Sequence, residues 1–172
     1  MKKLICFVFL STILFFYGCD GGISPEAEDN RPHDAAGFGG TVSFKGSWPQ
    51  GVTRTHIVAF RNPLVSAGDF NALNLAFVSD SIPFGVSGIV YSSLVNPQLQ
   101  IKAGKYAYIA VAQSKTPALS LDRKDWFVAG VYYASGDTAT PGTLVIPENT
   151  FVGDINITCD FNHPPQQPPG GE

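Results

Sequence analysis

The chain has 172 residues, which allows one domain. Hydrophobic residues make up 44% of it, enough to bury a core, and a formal charge of −3 makes nucleic acid a poor partner. Its three cysteines, Cys6, Cys19 and Cys159, are too scattered to form a zinc cluster.

The N-terminus carries the first feature. Met1-Lys2-Lys3 is a basic start, and Leu4 to Tyr17 is apolar except for Ser11 and Thr12. A bilayer span needs ~20 apolar residues, so this shorter run has the layout of a secretory signal. Phe16-Tyr17-Gly18-Cys19 resembles the lipobox of bacterial lipoproteins, where a small residue precedes an obligatory cysteine. Phe16 and Tyr17 depart from the usual Leu and small residue at those places. The resemblance implies a signal peptide over 1–18, cleavage before Cys19, and acylation of that cysteine with palmitate-type chains. It also places the domain in the cell envelope outside the cytoplasm, with the membrane and leaflet left open. A simple cleaved signal and an uncleaved anchor are the alternatives. Each buried methylene contributes ~0.8 kcal/mol, so two or three acyl chains anchor stably where one does not. Cys159 is then the one thiol of the mature domain, and 9 basic residues face 14 acidic ones once Lys2 and Lys3 are gone.

Residues 19–37 read as the lipidated cysteine and a tether. Gly21-Gly22, Pro25, Pro32 and the acidic stretch Glu26 to Asp29 leave Ile23 as the single large aliphatic, too little to fold. A flexible coil of that length reaches ~25 Å. Residues 38–162 carry the punctuation of an all-β domain. Thr41 to Phe44 alternates, Gly46 to Gly51 is a turn holding Trp48-Pro49, and Thr55 to Phe60 is β-branched and aromatic. A weak helical window covers Ala67 to Ala76. Strands are expected over Gly85 to Leu94, Leu99 to Ile101, Lys105 to Gln113, Asp125 to Tyr133, Thr143 to Ile146 and Gly153 to Phe161. In the last, Ile155, Ile157, Cys159 and Phe161 share one face, a period-two pattern with one wet side. Residues 163–172, with Pro164-Pro165 and Pro168-Pro169, are expected to be an extended, disordered tail. The sum is a mainly antiparallel β-sandwich of about seven or eight strands.

The order of these pieces resembles prealbumin-like sandwiches of bacterial envelope proteins, including carboxypeptidase-regulatory-like domains. Gly40-Thr41-Val42 matches the opening strand, Ile57 to Phe60 the second, Ile101 to Tyr106 the apolar-x-Gly-x-Tyr hairpin, and Asp154 to Phe161 the closing strand. The resemblance implies that Gly104 makes a tight turn and that Tyr106 packs at the base of the next strand. Such domains serve as spacers, accessories, adhesins and carbohydrate binders, so the fold alone does not set the role. The stretch Asn62 to Phe84 exceeds the minimal pattern, and a loop on a rigid scaffold is where an individual function can sit.

Catalytic and metal chemistry find little support. His56 is the one histidine within 38–162, with no Gly-x-Ser-x-Gly elbow to supply a nucleophile, so no catalytic residue is assigned. Asp122, Asp125 and Asp137 do not follow a calcium-loop pattern, although a cation between loops stays open. No metal ligand or cofactor is assigned. Cys159 lies on the apolar side of its strand and reads as a buried, inert thiol. The aromatics are the better candidates. Trp48, Tyr108, Trp126, Tyr132 and Tyr133 form the candidate binding surface, with core packing or loop cover as the competing explanation. Neighbours on a strand point to opposite faces, so Tyr132 and Tyr133, like Trp126 and Phe127, cannot line one core together. The expected role is non-enzymatic: a membrane-held envelope protein that binds a partner protein or serves as an accessory module, with glycan binding through exposed aromatics as the alternative.

Overall fold

The computed structural model describes residues 35–118, 120–134 and 137–171. The signal segment, Cys19 and the tether up to 34 lie outside the described residues. Ten strands follow in chain order: β1 (Gly37–Lys45), β2 (Arg54–Phe60), β3 (Leu75–Val78), β4 (Gly88–Ser92), β5 (Gly104–Tyr106), β6 (Tyr108–Ser114), β7 (Trp126–Val131), β8 (Leu144–Ile146), β9 (Phe151–Val152) and β10 (Ile157–Asp160). Two four-stranded sheets and a two-stranded ribbon result. The first sheet has β1 at its centre, antiparallel to β4 and parallel to β10 and β9. The second has the order β3-β2-β6-β7, all antiparallel, and β5 pairs with β8. The expected all-β, mainly antiparallel sandwich is what the chain forms.

Alternation in β1 explains its placement. Phe38, Val42 and Phe44 point inward and are buried, while Thr41, Ser43 and Lys45 stay exposed. They meet Ile57 and Ala59 of β2, Phe77 of β3, Ile109 and Val111 of β6 and Ile157 and Cys159 of β10 in the principal core. Phe38 and Phe77 contact edge to face, with ring centroids 5.1 Å apart. Residues Pro32–Glu172 form one compact unit, and both hydrophobic cores lie inside it, which is what independent folding requires.

Four expectations need correction. The helical window over Ala67 to Ala76 yields one 3-10 turn at Ala67–Asp69, and Leu75 onward pairs with β2 as β3. Sheet pairing there outweighs a weak local preference. The strand expected over Lys105 to Gln113 is broken at Ala107, whose N–H donates to Phe60 O at 3.0 Å as the chain leaves β8 for β2. Tyr106 and Tyr108 therefore lie in different cores. The closing strand is regular only over β10, because Asp154 takes a φ of 60°. Leu99 makes only an isolated bridge with Val78.

The Pro-rich tail is extended, and it makes contacts that composition did not announce. Gln167 Oε1 accepts from Val128 N at 2.8 Å and Gln167 Nε2 donates to Val128 O at 2.9 Å. Arg123 Nη2 donates to Pro168 O at 2.9 Å. The tail thus runs beside β7 and occupies hydrogen-bonding positions at the free edge of the second sheet.

Candidate functional site

The outer face of the second sheet is where the chain departs from a simple sandwich. Val58, Phe60, Tyr108, Ala110, Ala112, Trp126, Val128 and Val131 project away from the principal core, yet all are buried. A bulge explains the last three. Val111 pairs with Gly130 and Ala112 with Val128, so Ala129 is an extra residue and Val131 rejoins the face of Trp126 and Val128. The roof is built mainly by the stretch 62–84. Asp69 Oδ2 accepts from Ser66 N and Oγ at 2.7 and 2.9 Å. Asn74 Oδ1 accepts from Asn62 N at 2.7 Å, and its Nδ2 donates to Asp69 O at 2.9 Å. These bonds hold the loop so that Leu64 and Phe70 pack down on Phe60.

The roof is incomplete. A pocket of about 220 Å³ remains, its floor made by His56, Val58, Phe60, Ala112 and Trp126, its walls by Phe70, Leu75, Val78, Leu99 and Leu121. Two of its apolar lining residues are solvent-exposed, Leu121 by 58% and Leu99 by 40%, and Leu73 on the 62–84 stretch is 90% exposed. His56 is 1% exposed. Its Nδ1 lies 3.0 Å from Ser79 O, an acceptor only, so Nδ1 carries the proton and Nε2 is the free lone pair. Nε2 is buried without a hydrogen-bond partner. Burial holds the imidazole below its ordinary titration range, outweighing the bond to Ser79 O, so the ring is neutral near pH 7.

The five aromatic candidates are not brought to one open face. Tyr108 and Trp126 are buried in the outer core, and Tyr133 packs against it half-buried. Tyr132 packs on the principal core, opposite to Tyr133 as alternation requires. Phe127 is 37% exposed where its neighbour Trp126 is covered. Trp48 closes one end of the sandwich, its ring 4.6 Å from Phe44, 5.2 Å from Phe84 and 5.4 Å from Phe161, its Nε1 donating to Val86 O at 3.0 Å. Of the set, only Trp126 lines the apolar pocket. Tyr133 instead lines a wider cleft of about 530 Å³ with Asn156, Thr158, Asp160 and His163.

Sequence reasoning missed the pocket, although a signal for it existed. Ile57-Val58-Ala59-Phe60 and Ile109-Ala110-Val111-Ala112 are unbroken apolar runs, the mark of strands covered on both faces. Cys159 is fully buried, and burial pushes its thiol up to about 12. Among the described residues no group of three or more His, Cys, Asp or Glu is placed to hold a metal ion, and no helix is long and apolar enough to cross a membrane. No family model, curated protein or solved structure matches this chain.

Proposed function

We propose that the chain is a lipid-anchored protein of the bacterial cell envelope whose β-sandwich is a non-enzymatic binding module for a partner protein. One observation carries this reading: a buried second apolar layer holds an open pocket whose lining residues Leu99 and Leu121 are solvent-exposed. An apolar patch of this kind on a polar domain is what a protein partner covers. The lipobox-like Cys19 supplies the anchor in this proposal. A likeness to prealbumin-like domains draws support from Tyr106, which is buried with its hydroxyl donating to Lys102 O at 2.7 Å, whereas Gly104 lies within β5 and pairs with Ile146 of β8 instead of turning a hairpin.

Crosslinking and mass spectrometry in the native host test the proposal, comparing the wild type with Cys19→Ala and Leu121→Asp. We expect one envelope protein to be captured by the wild type, and to be reduced at least tenfold in both variants. A wild type that sits in the membrane fraction and captures nothing specific would refute it.

Carbohydrate binding is the second reading. The Tyr133 cleft favours it, since a half-buried aromatic ring stands there beside the polar side chains of Asn156, Thr158 and Asp160. A glycan screen with wild type and Tyr133→Ala decides it, and equal binding by the two proteins rules this cleft out.

A further inference from the structure

Beside β7 the chain forms a groove that its own C-terminal segment fills. The free edge of β7 is one boundary. Val128 turns its N–H and C=O outward there, and the Gln167 carboxamide meets both, accepting at 2.8 Å and donating at 2.9 Å. Two residues back along the same edge, Trp126 O accepts from Arg123 Nη1. The turn at Ala67–Asp69 is the other boundary, where a Cβ on Gly170 would stand 2.7 Å from Ala67 Cβ. Arg123 joins the two. It is buried, its Nη2 donates to Pro168 O at 2.9 Å, and its guanidinium carbon lies over the Phe70 ring, 5.7 Å from the centroid.

The chemistry of the occupant matches this seat point by point. Pro168 and Pro169 fix their own φ, so the segment enters extended with little backbone freedom left to lose. Prolines have no N–H and cannot pair with a sheet edge in the ordinary way. The Gln167 carboxamide takes over that task, because it presents the same donor and acceptor as a peptide group. Pro168 is buried, and its carbonyl is the atom that Arg123 binds. Gly170 has a φ of 79°, and a Cβ on Gly171 would collide with the Arg123 guanidinium. A carboxamide, a proline carbonyl and two positions without side chains each answer one feature of the groove.

We propose that this groove is a recognition site for an extended Gln-Pro-Pro-Gly-Gly segment, that the C-terminus occupies it in cis, and that a partner protein carrying a segment of the same chemistry binds by displacing the tail. The tail is a built-in competitor. It keeps the β7 edge closed to unrelated strands and yields to a segment that can make the same bonds. No residue from 163 to 171 lines the apolar pocket, so the groove is separate from the Leu99 and Leu121 patch, and its test involves neither leucine.

The test uses the compact unit Pro32–Glu172, with the Val128 amide resonance in ¹⁵N NMR spectra as reporter. A double variant, Gln167→Ala with Gly170→Ala, weakens the resident tail at two positions that belong to neither hydrophobic core. The probe is a peptide of residues 163–171, acetylated and amidated so that its ends carry no charge. We expect the Val128 resonance to leave its wild-type position in the double variant, and the peptide to restore it at millimolar concentration. Peptides carrying Gln167→Ala or Gly170→Ala should bind about tenfold more weakly, the former through loss of two hydrogen bonds. The wild-type chain should not respond to the peptide, because its own tail holds the groove at a high effective concentration. A Val128 resonance unmoved by the double variant would overturn the proposal. So would a double variant that binds no peptide at millimolar concentration, equal binding of the wild-type and Gln167→Ala peptides, or a wild-type chain that binds the peptide as well as the double variant does.

Discussion

Gly130→Ala tests how the two sheets meet. β7 and β10 belong to different sheets and come together at Gly130, where a Cβ would lie 2.7 Å from Cys159 Sγ, 2.8 Å from Thr158 O and 3.0 Å from Ile157 Cγ2. All three are closer than van der Waals contact, and one is a backbone oxygen that cannot rotate away. Overpacking of this sort costs ~1–3 kcal/mol, and two contacts below 3 Å put the substitution near ~3 kcal/mol. That is a large part of a typical domain stability of ~5–15 kcal/mol. Cys159→Ala alone should cost ~1–2 kcal/mol, as it removes a fully buried group and leaves a small void. It also removes the Sγ contact. The double variant should therefore be more stable than the sum of the single effects by ~1 kcal/mol, yet remain below the wild type because Thr158 O is still in place. Urea titration at 25 °C, followed by circular dichroism and tryptophan fluorescence, gives all four stabilities. A Gly130→Ala protein within ~0.5 kcal/mol of wild type would mean that the sheets do not approach so closely. Strict additivity would assign the clash to the Thr158 carbonyl instead.

Stability should also depend on His56. Its native titration point is lowered from 6.5, chiefly by burial, so the unfolded chain takes up more protons as pH falls below 6.5. Stability then declines over that acid range and is fully present above it; His56→Phe should flatten the decline relative to wild type in urea midpoints measured from pH 8 to 5. Arg54 and Asp80 are the charged groups near the ring, and substituting Arg54 by Gln should ease the protonation slightly. The Cys159 thiol, raised to about 12 by burial, should resist a thiol reagent at pH 8 in native buffer and react at once in denaturant. Gln167→Ala removes two bonds to Val128 and should cost ~1–2 kcal/mol, with faster amide exchange at Val128; an unchanged exchange rate would refute tail docking.

Much of the sandwich is legible in the sequence because period-two alternation records which side of a strand is wet. Val42 and Phe44 against Thr41 and Ser43, or Ile157 and Cys159 against Thr158, assign inner and outer faces with no further information. The opposed faces of Tyr132 and Tyr133 follow from the same geometry. Alternation carries no record of a strand's partners, however, and three features depended on partners alone. Leu75 to Val78 became a strand because β2 offered an edge, against a faint helical pattern. The run from Lys105 broke at Ala107 because its two halves serve different sheets. Trp126 and Tyr108 read as surface aromatics because the layer that covers them, residues 62–84, is distant in sequence from both. The pocket arises where that roof falls short of the sheet. Local chemistry thus determined the strands and their faces, whereas the second core and its opening were decided by long-range packing, which no short window of residues encodes.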